Sequence, residues 1–344
     1  MAIDYFTIPL TFKAIDGPAK VRLYTNGSIN QPTMSYSIDN GSTWSSYNSI
    51  WGTYIDLAQG NTVMFSGTNT KFNYWAESDT RVNLFGLSGN GSVELYGNLL
   101  SLISPNTTPS DYNCFFKAFA NITNCNLSAH HLVIPDNFTS SAGGGQFSRM
   151  FNNSTSLRVA PLLPPSSHIG KIQYYQNMYD GATNLSCIEV CFTSWPSYND
   201  NFTNNVAADG IFIKPSELSL TRGTSNIPTN WTVLNRIDGK LYYAEAGTGH
   251  SAGDEYTGED PYRWYYGGEE YYEGVIFKST GSTTVSLNKI GNPDNTTIQY
   301  TKDGIEWANV TEAISLADGE QVAFKGNGKF SKDIQNRYSF STNG

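Results

Sequence analysis

Two distant stretches of the chain spell one pattern. IDLAQGNTVMFSG at 55–67 matches ISLADGEQVAFKG at 314–326, with Ile55, Leu57, Gly60, Val63, Phe65 and Gly67 each reproduced at one constant offset. Upstream, Tyr36, Asp39 and Trp44 align with Tyr300, Asp303 and Trp307, and VRL at 21–23 aligns with VSL at 285–287. One module therefore occurs twice, near residues 5–97 and 275–344. Whatever fold one copy adopts, the other must be able to adopt too.

The module reads as antiparallel β. Apolar and polar residues alternate in VRLYT, MSYSI, TYIDL and VMFSG, the period of a half-buried strand. DGPA, DNGS, AQGN and GTNT supply turn chemistry between them. Short strands spaced by turns predict a sandwich. Within the first copy, SIDNGSTW at 37–44 fits the Asp-box pattern S-x-D-x-G-x-T-W, a hairpin motif repeated in sialidases and other β-propeller enzymes. Asp39 is placed to accept backbone N–H bonds, Gly41 to take a positive φ, and Trp44 to pack back over the hairpin. The second copy, TKDGIEW at 301–307, keeps Asp303, Gly304 and Trp307 but loses the serine. These six residues are read as structural turn residues. The second copy stops at YSFSTNG, where the first continues through FGLSGNGSVELYGNLL. The expectation is that the native chain is longer, or that another chain supplies the missing strand.

Between the copies the pattern changes. FFKAFANITNC (115–125), FSRMFNNSTSL (147–157) and YQNMYDGATNL (175–185) each read as a helix-like aromatic stretch, a turn and a short extended run. Phe119, Phe151 and Tyr179 correspond, and Cys125, Leu157 and Leu185 close each unit. Such a unit cannot bury its own apolar face, so stacking is predicted. Pro135, Pro161 and Pro164 turn the chain after the strands. Residues 210–235 read as a cap. Residues 236–274 form an acidic, tyrosine-rich connector predicted as a small β-hairpin.

That connector carries the densest aromatic patch: Tyr262, Trp264, Tyr265, Tyr266, Tyr271 and Tyr272. Such rings stack on sugars, and they are the candidate ligand-binding residues. Alternate aromatics also fill a small sheet's core. The carboxylates Asp254, Glu255, Glu259, Asp260, Glu269, Glu270 and Glu273 read as a solvated face, with no calcium-loop spacing. No metal and no cofactor is expected.

Composition narrows the function classes. Charged residues make up only 15% and aromatics 14%, which argues against disorder. Net charge is −9 with Lys and Arg scattered, so no basic stripe offers itself to nucleic acid. No apolar run is long enough to span a membrane, and MAIDYFTIPLTFKA lacks the parts of a signal peptide. The expectation is a chain made and kept in a cytoplasm, or one that leaves it by cell lysis. Cys114, Cys125, Cys187 and Cys191 read as buried free thiols, since the C-x-x-x-C spacing is not that of a zinc knuckle. Arg22, Arg81, Arg149, Arg158, Arg222, Arg236, Arg263 and Arg337 are dispersed over different modules, so no sialidase-like arginine cluster forms. One good Asp box and one degraded copy do not make propeller blades. No nucleophile-elbow, P-loop or dinucleotide motif occurs, and no enzyme is expected.

The middle segment resembles a known family. MFNNSTSLRVAPLLP resembles the unit M-F-x-x-C-T-S-L-x-x-A-P-x-L-P of BspA-like leucine-rich-repeat surface proteins of Bacteroidetes, with Ser154 and Ala182 where that family's repeat has cysteine. VAADGIFIKPSELSLTRGTSNIPTNWTVLN is similar to its closing segment, and PLTFKA with the Asp-box hairpin to its preceding β-module. The resemblance implies a mainly β chain with a short α/β segment: two related antiparallel β-sandwich modules flanking an irregular leucine-rich-repeat-like solenoid. The expected domains are the first module at 1–105, the degenerate solenoid with cap at 106–235, the connector at 236–274 and an incomplete second module at 275–344. Proteins of this kind are bacterial adhesins or occur in Bacteroidetes phages, including crAss-like phages, and they bind and display. The implied role is a virion fibre or decoration protein, located in the virion. Its implied partners are capsid or tail proteins, further copies of itself as a homo-oligomer, and a host surface or gut glycan. The alternatives are a bacterial cell-surface adhesin and a glycan-active hydrolase.

Overall fold

The computed structural model describes residues 8–26, 33–48, 52–68, 72–73, 82–103, 114–135, 145–165, 174–237, 240–258, 276–279, 281–290, 298–302, 308–317, 320–326 and 337–343. Among the described residues the protein is almost entirely β, with no α-helix and one 3-10 turn at Leu99–Leu102. These residues fall into two compact units, one built from those up to Ile237 together with 241–258, the other holding 276–343.

The first unit opens with eight strands: β1 Leu10–Ala14, β2 Ala19–Asn26, β3 Met34–Ser37, β4 Ser45–Tyr47, β5 Ile55–Leu57, β6 Thr62–Gly67, β7 Val82–Gly89 and β8 Ser92–Asn98. They pair antiparallel in the orders β4-β3-β6-β1-β8 and β5-β2-β7. Alternation decides which side chains meet. Leu10, Phe12 and Ala14 of β1 and Val63 and Phe65 of β6 are buried in one core with Val21 and Leu23 of β2 and Phe85 and Leu87 of β7. Phe12 meets Phe65 edge-on at 5.8 Å, and Phe65 meets Phe85 at 5.2 Å. Aromatic pairs favour this geometry, which puts the positive ring edge against the negative face.

The first sheet does not end at β8. β9 (Asn126–Val133) pairs parallel to it, from Ser92↔Asn126 to Asn98↔Val133, with an irregularity between Glu94 and Tyr96. β10 (Leu157–Val159), β11 (Cys187–Glu189), β12 (Ile211–Pro215) and β13 (Thr232–Ile237) follow, each parallel to the last, and β14 (Lys240–Tyr243) completes an eleven-stranded sheet. The segment expected as a cap thus contributes two of the parallel strands.

The expected helix-like stretches are not helices. Residues 114–121, 146–153 and 174–181 are successive turns. The reason lies in where their N–H groups point. Phe115, Lys117, Phe119 and Asn121 donate to the carbonyls of Gln146, Ser148, Met150 and Asn152 in the next unit, at 3.0, 3.3, 2.9 and 2.9 Å. Phe147, Arg149, Phe151 and Asn153 repeat this onto Tyr174, Gln176, Met178 and Asp180. The intervening amides close local turns, as Ala118 and Ala120 do onto Phe115 and Lys117. A helix would spend all these donors internally and leave the units unjoined. The sideways ladder instead needs left-handed residues at a fixed register. They are Lys117 and Asn121, Arg149 and Asn153, Asn177 and Gly181, and Asn201 and Asn205. Asn and Gly tolerate this conformation best. The last pair reveals a fourth unit, which the three-unit reading did not contain.

Inside the ladder the aromatics form one column. Phe119 stacks on Phe151 at 5.2 Å, Phe151 on Tyr179 at 5.9 Å, and Tyr179 meets Phe202 of the fourth unit at 5.2 Å. The column begins in the first module: Phe85 of β7 stacks on Phe119 at 5.3 Å, and its N–H donates to Ala118 O at 2.9 Å.

The second unit contains β15 Ile276–Lys278, β16 Thr283–Ile290, β17 Ile298–Thr301, β18 Ala308–Asn309, β19 Ile314–Leu316, β20 Gln321–Gly326 and β21 Arg337–Asn343. Its orders β15-β20-β17-β18 and β19-β16-β21 copy β1-β6-β3-β4 and β5-β2-β7. The register is copied as well, since Val285↔Ile314 stands where Val21↔Ile55 stands in the first copy. Val285, Ile298, Ile314, Leu316, Val322 and Phe324 make its core. Among the described residues no strand corresponds to β8.

Candidate functional site

The hairpin between β3 and β4 is built by Asp39. Its carboxylate accepts from Ser37 Oγ at 2.7 Å, Thr43 N at 2.9 Å and Thr43 Oγ1 at 2.5 Å. Ser37 Oγ in turn accepts from Gly41 N at 2.9 Å. Asn40 and Gly41 both take positive φ, 57° and 87°, as tight hairpin turns demand. The two hydroxyls and the Thr43 amide hold the Asp39 carboxyl down to about 2. A carboxylate this acidic and this engaged is poorly matched to proton transfer near neutral pH. Trp44 folds back so that Nε1 donates to Gly41 O at 3.1 Å, yet 41% of it stays exposed. The counterparts Asp303, Gly304 and Trp307 lie outside the described residues, as do Tyr262, Trp264, Tyr265, Tyr266, Tyr271 and Tyr272. The described part of the connector holds Tyr243, stacked on His250 at 3.5 Å and edge-on to Tyr256 at 5.6 Å.

A second cluster stands on the outer face of the β5-β2-β7 sheet. Arg22 lies between two tyrosine rings, its guanidinium carbon 4.5 Å from the Tyr24 centroid and 4.6 Å from that of Tyr54. Glycines make the bed. A Cβ on Gly86, the register partner of Arg22, would stand 3.0 Å from Arg22 Nε, and one on Gly52 would stand 2.5 Å from Tyr24 Cβ. Beside them Lys20 is already paired with Asp56 at 2.8 Å. The alternation V-R-L-Y already sends Arg22 and Tyr24 to one face. Only the contrast with the second copy's V-S-L-N marks them as unusual.

Two buried polar groups sit elsewhere on the long sheet. His130 and His131 lie side by side at the β9 irregularity, 3.7 Å between centroids, with His131 stacked on Tyr96 at 4.9 Å. Burial holds His130 down to about 4. Burial, with the nearby His130 and Lys13, holds His131 down to about 2. Farther along, Glu189 of β11 and Arg236 of β13 form a fork across β12, at 2.5 and 2.8 Å. Their side chains are 2% and 8% exposed. All four cysteines are free; Cys114 and Cys187 are buried, Cys125 and Cys191 partly so. Burial pushes the Cys125 thiol up to about 11, which keeps it protonated. Among the described residues no three metal-ligating side chains gather, and no helix is long and apolar enough to cross a membrane.

No family model matches the chain, and neither a curated protein nor a solved structure is significantly similar to it. The geometry therefore stands on its own. It offers a carboxylate spent on a turn, a half-exposed Tyr–Arg–Tyr cluster, and a sheet whose buried polar groups pair or stack with one another.

Proposed function

We propose that this is a non-enzymatic structural and binding protein of a bacteriophage virion, a fibre or decoration protein that presents modules for attachment to host-surface or gut glycans. On this reading the two duplicated units are β-sandwich modules, and the ladder between them is an irregular leucine-rich-repeat-like solenoid related to BspA-like surface proteins. The observation that supports it best is the unbroken sheet from β4 to β14. Backbone hydrogen bonds join the first module to the ladder strand by strand, and the Phe85 column runs through both. A binding module fused this way cannot swing on a linker, which suits a body that holds a contact surface out under load. Capsid or tail proteins and further copies of the chain are its proposed partners. The test is mass spectrometry of purified virions. Peptides of this chain at stoichiometric levels are expected; their absence from particles that infect normally removes the assignment.

A further inference from the structure

We propose that Tyr24, Arg22 and Tyr54 form a binding site for a carboxylate-bearing saccharide on the outer face of the β5-β2-β7 sheet. The inference deepens the glycan-attachment reading and rests on it.

The duplication supplies an internal control. Both copies fold to the same sheet orders and the same register. The second copy therefore shows what this face requires for folding alone. At the positions of Arg22, Tyr24, Gly52, Tyr54 and Gly86 it carries Ser286, Asn288, Thr311, Ala313 and Ser341. Asn288 Nδ2 there simply donates to Ser341 Oγ at 2.9 Å. The second copy builds the same sheet without Arg22, Gly52, Tyr54 and Gly86, while Tyr24 also packs against the buried cluster of Val82, Leu84, Phe116 and Ala120; a requirement beyond the sheet accounts for the other four.

The cluster is organised to present a cation. Two tyrosine faces hold the guanidinium by cation–π attraction. Gly52 and Gly86 leave the room it occupies. Among the described residues Arg22 has no carboxylate partner and no hydrogen bond, and its Nε is buried without an acceptor. Its neighbour Lys20 differs, because Asp56 already neutralises it. A guanidinium carries its N–H groups in one plane, a fork that matches a carboxylate. In a chain of net charge −9, an anion finds little general attraction and must be drawn by a local group. The site opens at Tyr54, which is 37% exposed, and is backed at Tyr24 by Val82, Leu84, Phe116 and Ala120. That shape suits a flat sugar ring laid against tyrosine, with its carboxylate on Arg22. A small free anion would find no enclosure.

The test uses the full chain and a variant carrying Arg22→Ser, Tyr24→Asn and Tyr54→Ala, the residues the second copy tolerates. Retardation in affinity gels is measured with polygalacturonate, polysialic acid, neutral dextran, dextran sulfate and polyglutamate. The expected result is retardation by one or both acidic carboxylate polysaccharides, weakened at least tenfold in the variant. Arg22→Lys is expected to weaken it several-fold, because charge remains and the fork is lost. Binding to neither carboxylate polysaccharide overturns the site, as does equal binding by the variant. Equal retardation by polyglutamate or dextran sulfate overturns its saccharide or carboxylate selectivity. Retention of neutral dextran with retention of neither carboxylate polysaccharide keeps the glycan-attachment reading and removes this site, so the two can fail separately.

Discussion

Phe119→Ala probes the join between the first module and the ladder. Phe119 is fully buried, stacked between Phe85 at 5.3 Å and Phe151 at 5.2 Å, with Phe12 at 6.3 Å. Losing the buried ring costs about 1.5–3 kcal/mol in transfer free energy. Each stacked pair adds about 0.5–1.5 kcal/mol beyond area. The total agrees with the ~3–5 kcal/mol typical of Phe→Ala in a core. Because Phe85 belongs to β7 and Phe151 to the next unit, the loss must be felt on both sides. Urea unfolding followed by circular dichroism gives the magnitude, and hydrogen exchange read by mass spectrometry gives its location. Peptides from β2 and from β12 are expected to lose protection together, in one transition. A loss below about 1 kcal/mol, or lost protection in the ladder while β2 and β7 keep theirs, refutes the shared core.

Two further perturbations address the buried polar groups. Arg236→Met takes the guanidinium fork away from the buried Glu189 carboxylate, and is expected to cost about 3–5 kcal/mol; adding Glu189→Met should recover much of that in the same urea assay. The imidazoles of His130 and His131 are held below their ordinary value, so the unfolded chain binds protons before the folded one does. Stability is therefore full above the unfolded value of about 6.5 and falls as pH drops toward 4, by about 1.4 kcal/mol per pH unit for each imidazole. His130→Gln should flatten this acid limb in thermal scans, and an unchanged limb would count against the assignment.

The β character and the duplication were legible because both rest on side-chain period and direct self-comparison. The Asp-box turn was legible for the same reason, since a short motif specifies its own hydrogen bonds. The ladder was misjudged because aromatic residues spaced four apart, as Phe115 and Phe119 are, satisfy a helical period as well as a stack of turns. The discriminating signal was Asn121, Asn153, Gly181 and Asn205, one left-handed residue per unit at a single register. Recognising it would also have revealed the fourth unit through Phe202. The parallel pairing of β8 with β9 carries no local signal, because either strand alone reads as part of its own domain. The Arg22 cluster was hidden for a different reason. Alternation reports which face a residue takes, and only comparing the two copies shows which residues on that face the fold does not need.

A protein of this kind attaches to glycans without turning them over. This is tested most directly by incubating the full chain with mucin and with capsular polysaccharide from host bacteria, measuring retained protein and released reducing sugar in the same samples. The account predicts retention with no sugar release above that of a heat-denatured control. Sugar release that disappears when one Asp or Glu is substituted would contradict it.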